Sequence, residues 1–378
     1  MSDVKEMCEI SPLPSSIFPL PSSLNIMSKH LVIMAGGIGL RFWPMSTPEC
    51  PKQFLDITGC GRTMIQQTVD RYAGIVEMQN VWVVTSKAYK DVVLEQLTGI
   101  NPQHILLEPC MRNTAPCIAY VSWKIQKEDP EALMVVAPSD HLVLKEEAFK
   151  QYVRAAFDFI TSWEGILTMG MQPTRPETGY GYIEQGEQTL EGIYKLKSFR
   201  EKPDLKTAIA YIQQGGFTWN SGMFFWSVEV IVNELRQHCP EIAAVMDKIA
   251  PSLFTVQEQE VIDELFPQCP KISIDYAVME KTALAYVMPA EFGWSDLGTW
   301  GSLHTILPQD ENANAAVGNN IRLVDCHNCV VHTSEEQQVV VQGLDGYIIS
   351  EKDGRLLICR LENEQNIKEY SILWQKQH

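Results

Sequence analysis

The stretch LVIMAGGIGLRFWPMS, residues 31–46, decides how this chain is read. Its first five residues, Leu31 to Ala35, form an unbroken apolar run of the length expected for a strand buried on both faces. The run passes directly into Gly36-Gly37-Ile38-Gly39-Leu40-Arg41, which places a glycine-rich turn at the carboxyl end of a strand, where open α/β sheets bind ligands. Gly36, Gly37 and Gly39 allow backbone N–H groups to approach phosphate oxygens, and Arg41, with Lys52 of the nearby PKQFL segment (51–55), adds full positive charge. Two commoner phosphate loops do not fit. The dinucleotide fingerprint needs a third glycine where Phe42 stands, and the Gly-Lys-Ser/Thr of a P-loop is absent. Glycines alone would equally suit a mere tight turn; Arg41 and PKQFL favour the phosphate site.

Working outward, short apolar runs continue at VWVVTS (81–86), HILLEP (104–109), LMVVAPSD (133–140) and ILTMG (166–170). Between them TMIQQTVDRYAGIV, KAYKDVVLEQL, TAPCIAYVSWKIQ and EEAFKQYVRAAFDFI carry apolar residues at helical spacing. This βαβα order predicts an α/β fold: a Rossmann-like mixed, mostly parallel sheet with helices on both faces. After residue 171 the pattern breaks into glycine- and aromatic-rich pieces (TGYGYIEQGE, YKLKSFREKPD, FTWNSGMFFW), expected to lay further strands and loops over the sheet. From about residue 302, short valine-rich runs (CVVHT, QVVVQGL, GYIISE, LLICRL) predict a small all-β region. The expected organisation is therefore a disordered extension over residues 1–28, a catalytic domain over 29–301 and a β region over 302–378. The extension is rich in Ser and Pro, with no basic start or long apolar run, so it reads as neither signal peptide nor membrane helix. Met27 directly precedes the first strand and is an expected translation start.

The 378 residues are 45% hydrophobic and 20% charged, ordinary for a globular chain. Lys and Arg total 30 against 47 Asp and Glu, a net charge of −17, which argues against nucleic acid or an anionic membrane as partner. A small phosphate ligand remains compatible, because a few cations and backbone N–H groups create a local positive site. Ten scattered cysteines without a secretion signal suit a reducing cytoplasm. Cys326 and Cys329, near His327 and His332, are a weak zinc signal, since no second ligand pair follows at finger spacing.

Eight segments in order resemble the sugar-1-phosphate nucleotidyltransferases, and within them the bacterial mannose-1-phosphate guanylyltransferases. They are GGIGLRFWPMS with PKQFL, EPCMRNTAPCIA (108–119), APSDH (137–141), TGYGYIE (178–184), FREKPD (199–204), WNSGMFFW (219–226), SIDYAVMEK (273–281) and GWSDLGTW (293–300). The resemblance runs from Lys29 almost to the end of the chain. It implies transfer of GMP from GTP to mannose 1-phosphate with release of pyrophosphate, by in-line attack without a covalent intermediate. Arg41 and Lys52 would be catalytic. Gly36, Gly37, Gly39, Arg112, Asn113 and Ser139 would contact the nucleotide. Gly179, Gly181, Glu201, Lys202 and Asn220 would contact the sugar phosphate, and Asp140 and Asp296 would hold Mg²⁺.

Read as residues alone, several of these have plainer alternatives. An Asp after a strand is more often a cap or turn residue, so the metal role of Asp140 and Asp296 rests mainly on the resemblance. Asn113 precedes an apolar helical run and suits an N-cap as well as a nucleotide contact. Glu201 beside Lys202 suits a solvated charge pair, and Gly179 and Gly181 suit a β-bulge. The C-terminal region resembles the family's short left-handed β-helical end, which implies a homodimer contact, and without the longer extension of bifunctional relatives a single activity is expected. The rival readings are the same chemistry on another base or sugar, and a catalytically silent regulatory homologue. Retention of Arg41, Lys52, Asp140, Lys202 and Asp296 argues against the silent one.

Overall fold

The computed structural model describes residues 27–37 and 39–375. The disorder expected of residues 1–28 therefore falls outside the described residues, except for Met27 and Ser28. Ser28 is tied to the sheet, its carbonyl accepting from Leu133 N at 2.9 Å.

The apolar runs become strands β1 (Lys29–Ala35), β2 (Val81–Ser86), β3 (Ile105–Glu108) and β4 (Leu133–Pro138), all mutually parallel in the order β3-β2-β1-β4. Alternate residues of β1 enter two separate cores, Leu31, Ile33 and Ala35 on one face and Val32 on the other. This two-sided burial is why the run is continuously apolar. Helices α1 (Met64–Asp70) and α2 (Lys90–Gln96) pack on the first face, and α3 (Thr114–Glu128) on the second. A short β5 (Leu142–Val143) follows, then α4 (Glu146–Ser162) on the first face and β6 (Ile166–Met171).

The aromatic-rich pieces form β7 (Gly181–Leu190), β8 (Ile193–Glu201) and β9 (Phe217–Ser227), with α5 (Leu205–Gln214) between the last two. β9 inserts antiparallel between β4 and β6, extending one nine-stranded sheet in the order β3-β2-β1-β4-β9-β6-β10-β8-β7. Helices α6 (Val228–His238), α7 (Pro240–Ile249) and α8 (Glu258–Leu265) cover the second face, followed by a π-helical turn at Asp275–Met279 and then β10 (Ala285–Ala290), parallel to β6. β11 (Trp294–Ser295) pairs with β5 outside the main sheet.

Helix α9 (Trp300–Ile306) spans the expected boundary at residue 302. The strands expected beyond it are present as β12 (Ala315–Val317), β13 (Ile321–Val324), β14 (Val330–His332), β15 (Val339–Gln342), β16 (Tyr347–Lys352) and β17 (Arg355–Arg360). Ladders β12–β14–β16 and β13–β15 are parallel, the pattern of a short β-coil. The chain then adds a helix that its sequence did not announce, α10 (Ile367–Gln375). This coil shares a core with the loop after β1: Phe42, Trp43, Leu55 and Ile57 pack with Trp300, Val330, Ile348, Leu357 and Ile367. Fully burying one such side chain contributes roughly 1.5–3 kcal/mol, so coil and loop stabilise each other.

Among the described residues, Cys326 and Cys329 are free thiols buried in a small apolar cluster, and no group of three or more His, Cys, Asp or Glu is placed to hold a metal ion. No described helix is long and apolar enough to cross a membrane.

Candidate active site

The loop after β1 is held open by its own neighbours. Gln53 donates to the carbonyls of Ala35 (3.1 Å) and Gly37 (2.9 Å), bracing the turn from below. Gly39 has φ +66°, and a Cβ there would lie 2.8 Å from Lys52 Cβ, so only glycine lets the lysine stem pass. A Cβ on Gly37 would meet no protein atom within 4 Å; that glycine is not required by the fold.

Lys52 is 2% exposed, and its ammonium donates to Asp140 Oδ2 at 3.1 Å and to the backbone carbonyl of Asp296 at 2.7 Å. Residues distant in sequence meet because Ser295 of β11 pairs with Leu142 of β5, which sets Asp296 beside the Asp140–His141 turn that follows β4. Burial is the largest influence and would raise the Asp140 carboxyl, but the Lys52 charge and hydrogen bond, with His141 and a backbone N–H, together outweigh it and hold the group below the ordinary carboxylate range. Asp296 Oδ1 accepts from Tyr180 OH (2.5 Å) and from Gly298 N (3.1 Å). The His141 imidazole is lowered below its ordinary value by burial, against the nearby Asp140 and Asp296 charges. Its Nδ1 lies 3.2 Å from Trp294 Nε1, and its carbonyl accepts from the buried Arg71 at 2.9 Å.

These groups line a cavity of about 450 Å³ bounded by Gly39, Arg41, Lys52, Asp140, Asp296 and, from α10, Lys368. Arg41, Lys52, Asp140 and Asp296 are thus brought together in one cavity. Two carboxylates facing a phosphate-sized space fit Mg²⁺, which commonly takes one or two protein carboxylates and completes its shell with phosphate oxygens and water.

A second cluster lies across Tyr180, whose ring packs edge-on against Trp219 and Trp294. Gly181 and Glu201 are paired residues of β7 and β8, and a Cβ on Gly181 would fall 2.7 Å from Glu201 Oε2. The glycine admits a carboxylate, and the register shifts of this ladder lie further on, from Glu184. Asn220 donates to Asp275 Oδ1 at 3.1 Å, and burial with the nearby Glu201 charge pushes the Asp275 carboxyl up to about 6. Lys202 has φ +47° and pairs with Glu201 while largely exposed, the solvated-pair geometry. Gly179 N donates to Glu177 Oε1 at 3.0 Å.

The remaining expected residues stand outside the cavity lining. Asn113 caps α3, its Oδ1 accepting from Thr114 N, and the Arg112 guanidinium is turned to the Pro267 carbonyl. Ser139 is buried, with its backbone bound to Met34 and Thr68. Reading the sequence missed Tyr180, Asp275 and Lys368 as site groups. It also missed Glu108 at the end of β3, which has a buried, unpartnered Oε1 and a carboxyl that burial pushes up to about 8. Its other oxygen lies 3.7 Å from where a Gly36 Cβ would sit. The one signal in the residues was a tyrosine between two glycines; the π-helical turn that Asp275 opens, a distortion that often marks functional positions, is visible only in the fold.

The sheet is mixed rather than mostly parallel, its parallel run β3-β2-β1-β4 followed by antiparallel pairings through β9, β8 and β7. With a braced glycine loop and a buried Lys after its strand ends, it is the framework of a nucleotide-using transferase. A family model described as nucleotidyl transferase matches residues 30–313. The chain belongs to that family. Among curated relatives, the alginate biosynthesis protein AlgA of Pseudomonas putida is 38% identical over 346 residues, spanning 89% of this chain and 70% of its own length. The mannose-1-phosphate guanylyltransferase of Escherichia coli is 36% identical over 349 residues, spanning 89% and 74%. A solved structure described as mannose-1-phosphate geranyltransferase from Thermus thermophilus superposes with a TM-score of 0.83 at 28% identity, covering 92% of this chain and 100% of its own.

Proposed function

We propose that this enzyme transfers GMP from GTP to α-D-mannose 1-phosphate, giving GDP-mannose and pyrophosphate. The observation that carries the reading is the cavity in which Arg41 and Lys52 face Asp140 and Asp296 beside the glycine loop. The choice of guanine and mannose is supported by the names of relatives such as the Escherichia coli enzyme.

In this reading an oxygen of the sugar phosphate attacks the α-phosphorus of GTP in line. A new P–O bond forms, the α–β bridging bond breaks, and pyrophosphate leaves with its electron pair. The attacking phosphate is already anionic at neutral pH, so the protein's task is to position two anions and neutralise their charge. Lys52, locked by Asp140 and the Asp296 carbonyl, presents its ammonium to the α-phosphate, and Arg41 holds the outer phosphates from the loop. Gly36, Gly37 and Gly39 supply backbone N–H groups, with Arg112, Asn113 and Ser139 nearer the nucleoside. Asp140 and Asp296 would hold Mg²⁺, which when bound neutralises triphosphate charge. Glu201 and Asn220 bind sugar hydroxyls, Gly179 and Gly181 give the ring room, and Lys202 swings from Glu201 to the sugar phosphate.

Pyrophosphate release with Mg²⁺, pairing mannose 1-phosphate with each of the four NTPs and GTP with several sugar 1-phosphates, tests the proposal. Release mainly from GTP with mannose 1-phosphate is expected. Preference for another pair would overturn the specificity but keep the chemistry, and no release from any pair would reject the catalytic reading.

A further inference from the structure

Lys368 lines the cavity but has no part in the reaction as argued above. It lies on α10, far from the sheet in sequence, and the helix is fixed in place. Ile367 is fully buried in the core that contains Phe42 and Trp300, Ser371 is fully buried, and Glu364 accepts from Gly301 N at 2.7 Å. α10 thereby packs on the Leu40–Phe42 turn of the glycine loop.

The carboxylates of the cavity already have partners: Asp140 has Lys52, and Asp296 has Tyr180 and Gly298. By contrast, the charged heads of Arg41 and Lys368 make no ion pair or hydrogen bond among the described residues. Two unpaired cations on one cavity repel each other, and the arrangement becomes favourable when an anion lies between them. A compact ammonium suits a phosphate group as a point charge. The sugar side, across Tyr180, has its own cation in Lys202.

We infer that Lys368 binds the β- and γ-phosphates of the nucleotide, and pyrophosphate in the reverse reaction, so that the C-terminal helix completes the substrate site from outside the sheet domain. This rests on the proposed nucleotidyl transfer and deepens it.

Full-length K368A, K368E and K368R test it by steady-state kinetics in both directions. A charge-assisted phosphate contact predicts KM for GTP and for pyrophosphate raised about tenfold in K368A and further in K368E. KM for mannose 1-phosphate should stay within about twofold, the Tm should be unchanged because the side chain is exposed, and K368R should recover most of the affinity. Constants within twofold of wild type in both K368A and K368E, or an equal rise for the sugar phosphate, would overturn the inference while leaving the reaction intact. Should the wild type turn over no substrate pair, calorimetric titration with pyrophosphate and Mg²⁺ decides. Weaker binding by K368E supports the site; equal or undetectable binding by both proteins rejects it.

Discussion

At the end of the cavity proposed for the nucleotide Lys52 is buried and held by two partners from distant parts of the chain, whereas at the end proposed for the sugar Lys202 projects largely into solvent, paired with its neighbour Glu201. The first arrangement is preorganised by tertiary packing, and a fixed cation stabilises developing charge without reorganising. The second is a movable pair, worth about 0–1 kcal/mol, that can exchange its carboxylate for an incoming phosphate. The contrast shows which contacts the fold itself sets and which await the ligand.

The contrast is tested most severely at Lys52. Lys52→Ala should lower kcat by roughly 10² to 10³, with Arg41→Ala next in severity, as for other groups that stabilise transition-state charge. Pyrophosphate-release assays on folded protein would check this, and near-wild-type turnover would remove the residue from the mechanism. A sharper comparison sets Gly39→Ala against Gly37→Ala. The former meets Lys52 Cβ at 2.8 Å in a left-handed backbone costing about 1–2 kcal/mol, and should lose roughly tenfold in activity together with Tm. The latter meets no protein atom and should keep its Tm, any kinetic loss then reporting on the ligand.

Asp275→Asn probes the end proposed for the sugar. Because burial raises this carboxyl to about 6, above its unfolded value near 4, the folded state binds the extra proton between those values and stability falls as pH rises through that window. The variant should therefore melt a few degrees higher than wild type at pH 8, with the gain fading as pH falls from 6 towards 4, while KM for the sugar phosphate rises about tenfold. Thermal melts across pH, paired with kinetics, would expose a purely structural Asp275 by an unchanged KM.

The smallest effect concerns the coil that packs against the loop after β1. His332, buried against Trp300, is lowered to about 4 by burial. Below pH 6.5 the unfolded chain takes up a proton that the folded ring refuses until about pH 4, so stability declines through that window and is flat above it for this group. His30, His104 and His141 are also lowered by burial and act in the same sense. His332→Leu should flatten part of the acid decline in denaturant midpoints between pH 6.5 and 4; an unchanged slope would remove His332 from the decline.

Much of this architecture was legible in the residues. The five early apolar runs all became strands, since burial on both faces demands near-continuous hydrophobicity, and Arg41, Lys52, Asp140 and Asp296 converge on one cavity. Other parts were not legible. Asn113 met both descriptions available to it, and the structure shows the capping geometry. Gly181 is explained by the Glu201 carboxylate on the neighbouring strand, a relation set by register and invisible in TGYGYIE itself.

Local pattern thus determined the α/β class, the glycine-rich loop after β1 and several charged residues that line the cavity, because hydrophobic period and glycine placement act over a few residues. Only the tertiary structure decided which groups meet: Lys52 with Asp140 and the Asp296 carbonyl through the β5–β11 pair, Asp275 with Asn220, and Lys368 with the loop after β1 through the shared core. Those are contacts between groups separated by tens to hundreds of residues, and burial and pairing energies between such groups exist only once the chain has closed around them.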